Sequence, residues 1–199
     1  LDPQLSQRVR EMLSEIKNVG EEAVIRFSGE LDSWNGDVVV TSNEIAQATE
    51  RLSKKVKDDI RFAHDNITRF AEAQKNTISE CSLEITPGFE VGQKNIPVSS
   101  AGCYVPGGRY SHIASALMTV TTARVAGVND IIACSPPKPS AGISDEVLFT
   151  LDLCGANTIL NLGGVQGVAA MAYGLFGVPK VDLLVGPGNQ YVAEAKRQL

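Results

Sequence analysis

A 199-residue chain that is 43% hydrophobic and 21% charged carries enough apolar side chain to bury a sizeable core. Its net charge of −5, with Lys and Arg scattered along the chain, argues against nucleic acid as a partner, and the absence of any run of about 18 apolar residues argues against a membrane span. The expectation is a soluble, cytoplasmic protein, with an upstream targeting segment left open because the sequence starts at Leu1 rather than Met.

The N-terminal part is helical. Asp2 and Pro3 form an N-cap and first-turn pair, Leu5, Val9, Leu13 and Ile16 mark one face, and Gly20 supplies a stop. A second helix is expected from the capping box of Thr41 with Glu44, and a third after Ser53, where Val56, Ile60, Ala63, Ile67 and Phe70 form a stripe at spacings of four and three. His64 sits at the edge of that stripe and reads as a partly exposed surface histidine. Leu83 and Ile85 then alternate, Pro87 and Gly88 form a turn, and Val91 and Ile96 precede Pro97, which predicts a hairpin within residues 81–98.

From Ser99 onward, strands, glycine-rich turns and helices repeat. Strands are expected over 101–105, 131–134, 158–162 and 181–185, and helices over 113–126, 144–153, 164–173 and 190–199. Such alternation implies a parallel sheet wrapped by helices, joined by right-handed crossovers, with the strand C-termini gathered on one rim where ligands bind. Three turns on that rim are rich in glycine: Pro106-Gly107-Gly108, Gly163-Gly164 and Gly186-Pro187-Gly188. Glycine lets backbone approach a ligand, and an adjacent helix N-terminus favours a phosphate. Tyr104, Gln166 and Asn189 stand beside these turns and can converge on one ligand; the competing reading is a strand-end tyrosine and two helix-capping amides.

Neither the GxGxxG fingerprint nor the GxxxxGK[ST] phosphate loop is present. The two histidines and four cysteines lie far apart, with no CxxC pair, so no complete zinc site is expected within the chain and Cys103, Cys134 and Cys154 read as buried packing thiols. The residues themselves carry the inference as far as an α/β protein with an anionic or nucleotide ligand at its strand ends.

Five ordered blocks extend it: Gly102-Cys103-Tyr104-Val105-Pro106-Gly107-Gly108, Ala123-Arg124-Val125-Ala126-Gly127-Val128, Cys134-Ser135-Pro136-Pro137, Gly163-Gly164-Val165-Gln166 and Val185-Gly186-Pro187-Gly188-Asn189. In order and spacing they resemble the histidinol dehydrogenase family. The resemblance covers nearly the whole chain but half or less of a family member, so a fragment is expected. It implies a Rossmann-like NAD-binding region over 99–199, truncated at its C-terminus, after a helical segment over 1–80 and a hairpin connection over 81–98. It also implies a homodimeric enzyme that oxidises a primary alcohol, histidinol in the first instance, through an aldehyde to a carboxylate, using NAD and a zinc ion.

Carried over by residue, the resemblance puts NAD contacts at Tyr104, Gln166 and Asn189, and places the zinc ligands and the Glu-His general bases beyond Leu199. Neither His64 nor His112 is assigned a catalytic role. One stretch departs from the family: Arg109-Tyr110-Ser111-His112-Ile113-Ala114-Ser115-Ala116 stands where small and apolar residues are usual, and Thr122 stands where proline is usual. That variant looks like the branch that includes sulfopropanediol dehydrogenase, in which Arg109 would suit an anionic substrate. A nucleotide-binding module without catalysis is the alternative of another class.

Overall fold

The computed structural model describes residues 2–107 and 112–199. Helix α1 (Pro3–Val19) starts where the Asp2 carboxylate accepts the Gln4 N–H at 2.9 Å, and it buries Leu5, Val9, Met12, Leu13 and Ile16. Sequence reasoning did not foresee α2 (Glu21–Asp32), which begins immediately after Gly20. Gly20 has φ of 81°, so it closes one helix and opens the next with no intervening loop. Helix α3 (Ser42–Arg51) carries both hydrogen bonds of the expected capping box, and α4 (Lys54–Lys75) is capped by the Ser53 hydroxyl. The α4 stripe is only partly covered: Ile60 is buried, whereas Phe70 is 66% exposed.

Strands β1 (Cys81–Thr86) and β2 (Phe89–Gln93) pair antiparallel around Pro87 and Gly88, and every residue in both is exposed. The main sheet comprises β3 (Ser100–Tyr104), β4 (Asp130–Ser135), β5 (Thr158–Asn161) and β6 (Leu183–Val185), all parallel, in the order β5-β4-β3-β6. The chain steps from β3 through β4 to β5, then returns to the other side of β3. The strand order therefore reverses between β3 and β6, which is the place where sheets of this kind open a crevice. Residues 38–40 run along the free side of β5: Val40 N–H donates to Ile159 O at 2.9 Å, and Asn161 N–H donates to Val38 O at 2.7 Å. That edge is thus paired within the chain.

Alternation along the strands divides the interior into two cores. Ile132, Cys134, Leu160 and Tyr104 face a cluster that includes α1, α2, α8 (Gly164–Tyr173) and α9 (Gln190–Gln198). Ile131, Ala133, Cys103 and Ile159 face the opposite cluster, which includes α3 and α7 (Asp145–Leu153). A bidentate ion pair from Arg51 to Asp145, at 2.8 and 2.6 Å, ties α3 to the start of α7. The helix expected over 113–126 is interrupted: α5 (Ile113–Ala116) and α6 (Thr122–Ala126) flank a π-helical turn, Leu117–Thr121. There the Thr119 hydroxyl donates to Ser115 O at 2.7 Å, a back-bond that competes with regular helix geometry. No helix among the described residues is long and apolar enough to cross a membrane.

Candidate functional site

A cleft of about 700 Å³ lies over the carboxyl ends of the sheet strands. Tyr104, Gln166 and Asn189 all line it, so the fold brings the three residues together. Each arrives there for a local reason.

Tyr104 is the last residue of β3 and is only 4% exposed. Its hydroxyl accepts the Gly164 N–H at 3.1 Å, bridging the end of β3 to the start of α8, and burial pushes its phenol well above the usual tyrosine range. The close crossing of the β6 turn over β3 depends on Gly186. Its φ is 115°, and a Cβ there would lie 2.0 Å from Tyr104 O. Past that turn, Asn189 caps α9: its Oδ1 accepts the N–H groups of Tyr191 and Val192 at 3.0 and 3.1 Å, while the residue itself stays exposed.

Gln166, in the first turn of α8, is 1% exposed. Its Nε2 donates to Asp32 Oδ2 at 2.9 Å, and its Oε1 is buried with no hydrogen-bond partner. A buried acceptor without a donor is costly. Asp32 also accepts the Gly163 backbone N–H; desolvation raises its carboxyl above the ordinary value, opposed by these two hydrogen bonds. At the head of α8 the Asp32 carboxylate accepts the Gly163 N–H and the Tyr104 hydroxyl that of Gly164, and at α9 Asn189 accepts those of Tyr191 and Val192.

Asp32 was missed because it closes a helix that Gly20 had concealed, and nothing in the residues around it signals a partner 134 positions away. Arg8 and Met12 also line the cleft, reaching it from α1, as does Lys138 from the proline-rich loop after β4. His112 lies on the cleft wall, whereas His64 sits on α4 beside Thr68 and Asp65. Arg109 lies outside the described residues. Desolvation raises the Cys103 thiol to about 12 and Cys154 to about 11, and pushes Cys134 up further, so these buried cysteines are poor nucleophiles. No three His, Cys, Asp or Glu side chains among the described residues gather as a metal site.

The parallel sheet, its reversal between β3 and β6, and the cleft above that reversal define a Rossmann-like α/β protein. The family model for histidinol dehydrogenase matches residues 2–199, and the chain belongs to that family. It is 53% identical over 195 residues to the sulfopropanediol 3-dehydrogenase of Ruegeria pomeroyi, covering 98% of this chain and 45% of that protein. Identity to the histidinol dehydrogenase of Escherichia coli is 40% over 196 residues, covering 98% and 44%. The crystal structure of histidinol dehydrogenase from Elizabethkingia anophelis superposes with a TM-score of 0.91 at 33% identity, over 98% of this chain and 45% of that one. The chain thus spans less than half the length of these relatives.

Proposed function

We propose that the protein carrying this chain is an NAD-dependent, zinc-dependent dehydrogenase that oxidises a primary alcohol through an aldehyde to a carboxylate, and that this chain supplies the dinucleotide cleft. The observation that carries the cleft assignment is the buried, unpartnered Gln166 Oε1 in the wall of a cleft at the point of strand reversal. NAD, when bound, supplies the hydride acceptor. Tyr104 contributes a flat ring, Gln166 an acceptor, and Asn189 an amide whose Nδ2 is not used in capping; these groups bind and orient the dinucleotide. The described residues do not gather a zinc ligand set, so no step is assigned to zinc here. A homodimer belongs to the same proposal, and light scattering on the native protein checks it.

Histidinol, oxidised to histidine, is the first reading of the substrate, from the family match. A sulfonated diol is the second, favoured by 53% identity to the sulfopropanediol enzyme against 40% to the histidinol enzyme. The test is NADH formation by the complete, zinc-loaded protein with L-histidinol and, separately, with 2,3-dihydroxypropanesulfonate. Turnover of one alone assigns the substrate. Silence with both, alongside retained NADH binding, leaves a dinucleotide-binding module without this chemistry.

A further inference from the structure

We infer that Asp32 is a specificity-determining and positioning residue of the cleft: its carboxylate, seated at the head of α8, receives ribose hydroxyls and turns away a ribose that carries a phosphate. This rests on the dinucleotide reading above and deepens it.

Three observations carry the inference. First, Asp32 lines the cleft and accepts both Gln166 Nε2, at 2.9 Å, and the Gly163 N–H. Tyr104 Oη takes the next N–H, that of Gly164. In a glycine-turn phosphate site these backbone donors would face the ligand; here a carboxylate and a phenol oxygen stand on them.

Second, because a carboxylate can only accept, it holds Gln166 with Nε2 inward and Oε1 as the amide's remaining group, and that Oε1 has no partner. The corner therefore holds acceptors only: the free lone pairs of Asp32 on the cleft wall and, buried behind them beside Gly164, the orphan amide oxygen. A vicinal diol brings the donors that such a corner lacks. A phosphate near pH 7 brings negative charge and acceptors, and meets a negative group of limited hydration.

Third, the turn is shaped for the contact. A Cβ on Gly163 would lie 3.0 Å from Asp32 Oδ2 and 2.8 Å from the Pro136 ring, so glycine is what lets the carboxylate and the loop after β4 close on it. The raised carboxyl of Asp32 agrees with its partial burial at the cleft wall.

The experiment measures Kd for NADH and NADPH by fluorescence titration of the complete native protein, as wild type, Asp32→Asn and Asp32→Ser, with thermal unfolding as a check of folding. Asp32→Asn keeps the size of the side chain and an oxygen for Gln166 while removing the charge and one acceptor. The expected result is a wild type that prefers NADH, and variants in which NADH weakens about tenfold while NADPH tightens, so that the preference falls by more than about tenfold. A wild type that binds both dinucleotides equally, or an Asp32→Asn protein that keeps the wild-type preference, overturns the role of Asp32 and leaves the dinucleotide cleft standing. A wild type that binds neither overturns both.

Discussion

Tyr104 joins two jobs in one hydroxyl: it ends the central strand and it satisfies the first N–H of α8. Tyr104→Phe leaves the Gly164 N–H without its acceptor, so the native protein is expected to lose about 1–3 kcal/mol in urea denaturation, along with weaker NADH binding. The thiols give a second prediction at this scale. Because Cys103, Cys134 and Cys154 are buried and hard to ionise while Cys81 lies exposed on the hairpin, a disulfide reagent at neutral pH is expected to label Cys81 rapidly and the other three only after denaturation. Rapid labelling of Cys134 in the native fold would show that the core around β4 opens readily. Asn189 also caps a helix and Tyr104 is also a buried strand end. Packing and ligand binding are compatible uses of the same atoms.

The helices are defined by their ends more than by their stripes. In α3, Thr41 N–H donates to Glu44 Oε2 at 2.7 Å and the Glu44 N–H returns to Thr41 Oγ1 at 3.2 Å, so two orphan donors are satisfied within four residues. Thr41→Ala is expected to cost about 1 kcal/mol, read as a lowered urea midpoint with an unchanged slope. Asn189→Ala is expected to cost a similar ~1 kcal/mol by uncapping α9, and also to weaken NADH binding, whereas Thr41→Ala leaves binding unchanged. The contrast separates a cap that faces the cleft from one that does not. These ends were legible because a cap needs only a polar side chain and a backbone N–H two or three residues on. The π-helical turn at Leu117–Thr121 was not legible, because whether a threonine bonds back to its own helix depends on what packs beside it.

At the scale of the whole molecule, the helical start and the sheet region are joined through a buried carboxylate. Glu194 on α9 accepts Ser6 Oγ of α1 at 2.7 Å, Arg197 at 2.8 and 2.6 Å, and Gln198 Nε2 at 2.6 Å. Hydrogen bonds from Arg197, Gln198 and Ser6, in that order of weight, hold its carboxyl far below the ordinary 4.5. Since the folded state lowers this pKa, the stabilisation is present above pH 4.5 and is lost as pH falls below it. Glu194→Gln is therefore expected to flatten the fall in urea midpoint on acidification below that pH; an unchanged slope against pH would place the acid sensitivity elsewhere.

What the sequence determined by itself was whatever is written in short stretches: the Asp2 cap, the Thr41 box, the Pro87-Gly88 hairpin, and the strand, glycine turn and helix repeats that make the sheet parallel and put Tyr104, Gln166 and Asn189 on one rim. Each follows from spacing and backbone chemistry within a few residues. Only the tertiary structure decided that α2 follows Gly20 directly, that residues 38–40 pair along β5, and that Asp32 meets Gln166. Those contacts come from two helices and a strand edge packing against one sheet, and a hydrogen bond between residues 134 positions apart leaves no periodicity in the chain that forms it.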